Sequence, residues 1–149
     1  MQISFEAELA NIGQRNIIIL PLSSSEMFPS RGMVMGYITM NGMRFLSPLE
    51  PDGNGSHWFE VSDKKMSDTH VVPGQRLAMT IELAGEWPDP EMPQDFMESI
   101  SQAGLMTQWS KVTVKAKWEW LRWIRSTSNP ETRKKRILVA CSKLSKGDK

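Results

Sequence analysis

Six short runs of extended-type residues, separated by turn-forming residues, constrain the fold of this chain more than any other feature. Within them apolar and polar residues alternate, or β-branched residues dominate, as in half-buried or buried strands. Asn41-Gly42 joins two of the runs directly, and because both residues tolerate positive φ, the pair strongly predicts a hairpin. The runs cover residues 3–9, 17–20, 33–40, 43–46, 56–61 and 76–83.

The number and spacing of these runs predict a small, mostly antiparallel β-barrel of about six strands. Closure into a barrel removes the exposed edges that short strands in an open sheet would leave. The predicted fold class is α+β, because a C-terminal helical segment of two to three helices follows the barrel. The predicted domains are a β-barrel (1–86), a proline-containing linker with a short helix (87–109) and a basic helical C-terminal module (110–149).

The helices are predicted from their end signals. A short helix over residues 95–103 is ended by Gly104, and Ser110 is the predicted cap of a second helix over 111–126. Asn129 and Pro130 predict the start of a last helix that runs to about residue 144.

A helical projection at about 100° per residue divides the second helix into two sides. Its predicted apolar side holds Val112, Ala116, Trp120, Trp123 and Ile124 and is continued by Leu121 and Val114. Its predicted basic side holds Lys111, Lys115, Arg122 and Arg125. The predicted apolar seam of the last helix is Ile137, Ala140, Cys141 and Leu144.

Charge is distributed unevenly along the chain. Residues 1–104 carry 6 basic and 14 acidic side chains, a net charge of −8, whereas residues 105–149 carry 12 basic and 3 acidic, a net charge of +9. The basic part either lies on the acidic part, the interpretation we favour, or faces an anionic partner.

Composition bounds the class of protein. The 40% hydrophobic and 23% charged residues are ordinary globular values. No apolar run approaches the roughly 20 residues that span a bilayer, and the first residues lack the features of a secretory signal. We therefore expect a cytoplasmic protein without membrane insertion, present as a monomer or weak oligomer.

Chemically reactive groups are few. The single cysteine, Cys141, excludes an internal disulfide and is interpreted as a small buried hydrophobe. The two histidines, His57 and His70, lack metal-ligand spacing, so neither a metal nor another cofactor is predicted. The chain contains no complete catalytic motif, and no catalytic residue is predicted.

Several motifs together resemble a bacterial domain-of-unknown-function family, the bacteriocin-protection, YdeI/OmpD-associated group. They are residues 41–45, 49–57, 72–77, 93–96, 120–124 and, most specifically, the run Pro130-Glu131-Thr132-Arg133-Lys134-Lys135-Arg136-Ile137. The chain departs from the family at Gly53-Asn54-Gly55, at Gly74-Gln75 and at Thr127-Ser128. The resemblance implies a small β-barrel followed by helices, and a role in tolerance of envelope stress or bacteriocins, without implying a mechanism or an enzyme activity.

Two candidate sites for an anion or another ligand emerge. In the first, Gly53 and Gly55 allow backbone amides to approach an anion and His57 donates to it; the alternative is a hairpin turn with a surface histidine. In the second, Arg133 and Arg136 bind a ligand anion. The alternative for Arg133, which heads an apolar seam, is an ion pair with a carboxylate of the acidic first domain.

A third candidate is a nucleic-acid surface on the basic helix. Phosphates would contact the cations of Lys115, Arg122 and Arg125, while an unstacked base lies on Trp118. The alternative is that Trp118 packs on the barrel.

The leading functional hypothesis is a non-enzymatic binding or interaction protein whose partner is an unknown ligand or protein. A nucleic-acid-binding protein is the second hypothesis. A small-molecule enzyme with a site at the barrel mouth near His57 is the third.

Overall fold

The computed structural model describes residues 2–147, which divide between Gly85 and Glu86 into two compact units. The first, called the barrel unit, is a closed barrel of antiparallel strands in the order β1-β2-β5-β4-β3-β6. This confirms the predicted barrel. The strands are β1 (Gln2–Ile12), β2 (Arg15–Ile19), β3 (Val34–Met40), β4 (Met43–Pro51), β5 (His57–Glu60) and β6 (Arg76–Leu83).

The barrel core follows from the alternation along the strands. Ile18 on β2 pairs with Leu9 on β1 and with Phe59 on β5, and all three side chains are buried. Because neighbouring side chains of a strand point to opposite faces, one register places every inward residue of these strands at matching positions.

Two tight hairpins set that register. Asn41 and Gly42 have φ of 51° and 83°, as predicted for the β3–β4 turn, and Gly13 and Gln14 have φ of 57° and 66° in the β1–β2 turn. Two consecutive residues with positive φ match the twist of the flanking strands.

β4 is longer than the predicted run of residues 43–46. Proline at position 48 reads as a strand terminator, but β4 continues to Pro51. The side chain of Leu49 is fully buried and pairs with Val34, so burial extends the strand past the proline.

Two short helices lie between the strands. α1 (Leu22–Ser25) follows β2 and brings two buried serines, Ser24 and Ser25, into the barrel unit. α2 (Asp63–Thr69) begins after Ser62, whose hydroxyl accepts a hydrogen bond from the Lys65 amide at 3.3 Å.

The second unit, called the helical unit, contains four helices among the described residues, where two to three were predicted. The unexpected helix is α4, which is anchored by the buried Trp109. Ser110 is the last residue of α4, so its predicted capping role is wrong; Thr113 caps α5 by accepting from the Ala116 amide. The helices are α3 (Gln94–Gln102), α4 (Met106–Ser110), α5 (Val114–Arg125) and α6 (Pro130–Ser145).

The buried faces of α5 and α6 are those predicted, with Trp123 as the exception. The α6 seam and the cap by Asn129 are confirmed, since Ile137 and Leu144 are buried and Asn129 accepts from two amides of the first turn. Trp123, predicted on the apolar side of α5, is 37% exposed. Ile124, predicted on the same side, and Leu121, predicted to continue it, are fully buried in the core of the helical unit.

Within residues 2–147, no helix has the length and apolar character needed to cross a membrane.

Candidate functional site

The predicted glycine loop is a turn closed by its own carboxylate. Gly53 and Gly55 have φ of 82° and 93°. The Oδ1 atom of Asp52 accepts hydrogen bonds from the Asn54 amide at 2.7 Å and the Ser56 amide at 3.0 Å. Two amides of the candidate anion loop are therefore already directed at Asp52.

His57 lies inside the barrel unit with 1% of its surface exposed, so the alternative of a surface histidine is wrong. Its Nε2 atom is 2.7 Å from the Gly32 carbonyl oxygen, and its Nδ1 atom is 2.5 Å from the Ser25 hydroxyl. Because a carbonyl only accepts, Nε2 carries the proton, and Nδ1 of the neutral ring accepts from the hydroxyl.

Burial lowers the pKa of His57, and the positive charge of Arg31 lowers it further, while the Gly32 hydrogen bond and Asp52 oppose the shift. The ring is therefore neutral near pH 7. Phe28 packs edge-on against it, with ring centroids 5.0 Å apart.

Arg31 holds the chain segment around this histidine together. Its guanidinium donates to the carbonyl oxygens of Ser25 at 2.5 Å, Phe28 at 3.3 Å and Gly55 at 3.2 Å. The sequence did not single out Ser25 or Arg31. A serine run after a strand reads as a helix cap, and a lone loop arginine carries no spacing signal.

A serine hydroxyl donating to a neutral imidazole has the chemistry of a nucleophile and its base. Here Ser25 is fully buried and His57 nearly so. A substrate would have to reach Oγ of Ser25, which the surrounding barrel covers. The arrangement satisfies buried polar groups, and catalysis would require the segment to open.

Arg133 forms an ion pair, as the alternative interpretation held, but its partner is Asp95 of α3 and not a carboxylate of the first domain. Nε and one terminal nitrogen of Arg133 donate to the two carboxylate oxygens at 2.7 and 3.0 Å. The hydrogen bond from Arg133 lowers the pKa of Asp95. This two-point contact joins α6 to α3.

Arg136 joins α6 to the end of α5. Its guanidinium donates to the Trp123 carbonyl oxygen and to the Ser126 hydroxyl, each at 2.7 Å. It also lies over the Trp123 ring, 5.4 Å from the centroid. The Trp123 carbonyl oxygen also accepts from the amide and the hydroxyl of Ser126, at 3.3 and 2.8 Å, so Arg136 adds a charged donor to the last turn of α5.

The predicted nucleic-acid residues all contact other groups of the helical unit. The ammonium of Lys115 lies 5.6 Å from the Trp87 ring centroid, and the indole of Trp118 donates to the Pro88 carbonyl oxygen at 2.7 Å. Arg122 lies 3.7 Å from Glu119, and Arg125 donates to its own helix at Leu121.

A surface that the sequence did not single out lies on the solvent side of α6. Leu138 is 67% exposed and Val139 is 42% exposed, between exposed lysines that precede and follow them. Two apolar residues outside the predicted seam were the available signal. We name this surface the α6 outer face, formed by Lys134, Lys135, Leu138, Val139, Lys143 and Lys146.

Most lysines of the α6 outer face form no ion pair with another described residue. Lys134 lies 3.7 Å from Glu131, one turn earlier on the exposed side of the same helix. Lys135, Lys143 and Lys146 have no ion-pair partner within residues 2–147.

In the part of the chain that the structure describes, no group of three or more metal-ligating side chains comes together. The single thiol, Cys141, predicted to be buried, is only partly buried against the helical core. Burial raises the pKa of its thiol, which disfavours the reactive thiolate.

Fold and surface together define a small two-unit protein, an antiparallel β-barrel and a helical unit with a basic outer face. A family model described as bacteriocin-protection, YdeI or OmpD-associated matches residues 89–147. This confirms the predicted resemblance over most of the helical unit, including the α6 outer face. Comparison with curated protein sequences gave no significant match.

Proposed function

We propose that this protein is a non-enzymatic binding protein that engages an anionic partner through the α6 outer face. One observation carries the proposal: exposed lysines gather on this face at both ends of an exposed apolar pair. Cations without bound carboxylates keep their full attraction for an external anion. We also propose, from the sequence, that this binding takes place in the cytoplasm.

The other candidate binding residues already form hydrogen bonds within their own units, which favours the α6 outer face as the binding surface. His57 is committed to Ser25 and Gly32, and Arg133 is committed to Asp95. Arg136 is committed to the end of α5. Recruiting any of them for a ligand would first break contacts that hold its own unit together.

Fluorescence anisotropy tests the proposal with two labelled probes, a polyglutamate peptide and a single-stranded oligonucleotide, at about 50 mM salt. We expect saturable binding to at least one probe, and a loss of roughly tenfold or more in affinity for Lys135→Glu/Lys143→Glu. The matched control is Lys64→Glu/Arg76→Glu, which makes the same charge change on exposed residues of the barrel unit.

Absence of binding to both probes at low salt would contradict the proposal. Equal losses in the two double variants would contradict it as well, since they would show a response to net charge alone.

Nucleic-acid binding through α5 is a second candidate, favoured by the net charge of +9 over residues 105–149. It predicts that Lys115→Glu/Arg125→Glu weakens oligonucleotide binding more than Lys135→Glu/Lys143→Glu does. The reverse order of effects would favour the α6 outer face.

The description of the matched family suggests the biological setting. We propose that binding contributes to tolerance of bacteriocins or envelope stress. A deletion strain exposed to a bacteriocin producer should lose viability, and the wild-type gene should restore it. Restoration by Lys135→Glu/Lys143→Glu as well would separate tolerance from the α6 outer face.

A further inference from the structure

The α6 outer face has an apolar centre and cationic ends. Lys134 and Lys135 precede Leu138 by four and three residues, and Lys143 follows Val139 by four. Residues three and four apart are neighbours on a helix surface. Leu138 and Val139 are therefore flanked along the helix axis by lysines on both sides.

This arrangement distinguishes among anionic partners. Phosphate backbones are bound by cations and polar groups, and aliphatic side chains add little to that contact. A protein interface, in contrast, combines an apolar centre with a polar, solvent-accessible rim. Leu138, the more exposed of the two apolar residues, is best accounted for by an apolar side chain of a partner.

The dimensions indicate the kind of segment that would dock. Lys134 lies in the second turn of α6, and Lys146, twelve residues later, is the C-cap of that helix. The face is therefore about 18 Å long. About three turns of a partner helix cover that distance, and one apolar stripe of such a helix would meet Leu138 and Val139.

We infer that the partner is another protein that presents an acidic amphipathic helix. Its apolar stripe packs on Leu138 and Val139, and its carboxylates pair with Lys135 and Lys143. The inference rests on the proposed function, and it specifies the partner class for the same surface.

The probe that tests it is a labelled synthetic peptide of about 16 residues, with leucines spaced three and four apart and glutamates at most other positions. A peptide of identical composition with the leucines scrambled controls for charge. An oligonucleotide and vesicles containing phosphatidylserine represent the other anionic partners.

We expect the amphipathic peptide to bind roughly tenfold or more tightly than its scrambled form, because only the former buries a continuous apolar stripe. Leu138→Ala/Val139→Ala should remove most of this difference. Alanine favours the helix, so α6 keeps its structure. Met106→Ala, which alters an exposed apolar residue of α4, should leave binding unchanged.

Equal affinity for the two peptides, or an unchanged affinity in Leu138→Ala/Val139→Ala, would overturn the inference. If the oligonucleotide or the vesicles then bind through Lys135 and Lys143, the proposed function stands with a different partner. If no anionic probe binds at low salt, the proposed function itself fails.

Discussion

The barrel unit buries polar side chains, whereas the buried side chains in the described part of the helical unit are apolar. In the barrel unit, Ser25 and His57 are buried and joined by hydrogen bonds between neutral groups. Both units also form ion pairs at their surfaces, including the pair of Arg133 with Asp95 in the helical unit. Buried hydrogen-bonded networks specify a packed interior, whereas the exposed lysines of the α6 outer face that have no carboxylate partner among the described residues can attract an anion. The candidate binding surface therefore lies on the helical unit.

The largest expected effect is the loss of stability of the barrel unit when its buried polar network is disrupted. His57→Ala removes a buried ring and leaves the Ser25 hydroxyl and the Gly32 carbonyl oxygen without partners. The free energy of unfolding of the barrel unit should fall by about 3 kcal/mol. Amide hydrogen exchange should show lost protection in β1–β6 and unchanged protection in α3–α6.

The matched control is His70→Asn, at an exposed helix end with φ of 57°, a conformation that asparagine tolerates. Its barrel amides should keep their protection. Equal loss in both variants would show that the buried network has no special part in stability.

A smaller loss is expected at Gly36, where β3 lies close to its neighbours. A Cβ atom there would lie 2.9 Å from Ile81 Cγ2 and 3.1 Å from Leu49 Cδ1. Gly36→Ala should therefore lower the unfolding free energy of the barrel unit by about 2 kcal/mol. Urea unfolding checks this against Gly85→Ala, where the added atom meets open space; a stable Gly36→Ala would contradict the packing described.

The surface ion pair of the helical unit should contribute less. Asp95→Asn leaves the fold of α3 intact but weakens the two-point contact with Arg133. The expected loss in unfolding free energy is at most about 1 kcal/mol, because both partners are partly exposed. Lys134→Ala, which removes an exposed pair with Glu131, should cost less. If Asp95→Asn lowered the unfolding free energy more than His57→Ala does, the surface ion pair would matter more for stability than the buried network, which would contradict the comparison of the two units.

The smallest expected effect is on the pH dependence of stability, which should differ between the two units. Because the pKa of His57 is lowered by burial, the unfolded chain takes up a proton first, and the barrel unit loses stability as pH falls below about 6.5. One histidine accounts for less than about 1 kcal/mol at pH 6. The lowered pKa of Asp95 preserves its contribution until pH falls below about 4.

Exchange protection factors measured from pH 7 to pH 5 check this for each unit. We expect β1–β6 to lose protection and α3–α6 to retain it. In His57→Gln, which does not titrate, the decline in the barrel unit should be smaller; the same decline as in the wild type would exclude His57 as its cause.

Local patterns were sufficient to predict much of the fold. Alternation and the Asn41-Gly42 turn identify strands whatever their partners, and Asn129-Pro130 marks a helix start by its own hydrogen bonding. The pairing of β1 with β6, and the burial of Leu49 beyond a proline, depend on contacts distant in sequence. Those features required the structure.

The candidate sites were harder to predict for a related reason. The sequence identifies His57 and Arg133 as candidates by their residue type. Their hydrogen-bond partners, Ser25 and Asp95, lie 32 and 38 residues away in the sequence and could not be predicted from it. The α6 outer face has the opposite character. Its signal, Leu138 and Val139 outside the apolar seam, becomes meaningful once the opposite face of α6 is known to be buried.

The most direct test of the central claim is an NMR titration of the ¹⁵N-labelled protein with the acidic amphipathic peptide. We predict that the amides with the largest shift changes belong to residues 134–146, which contain the α6 outer face, and that the amide shifts of Ser25, Arg31 and His57 remain unchanged. Shift changes concentrated in the barrel unit, or on α5 around Lys115 and Arg125, would contradict the account.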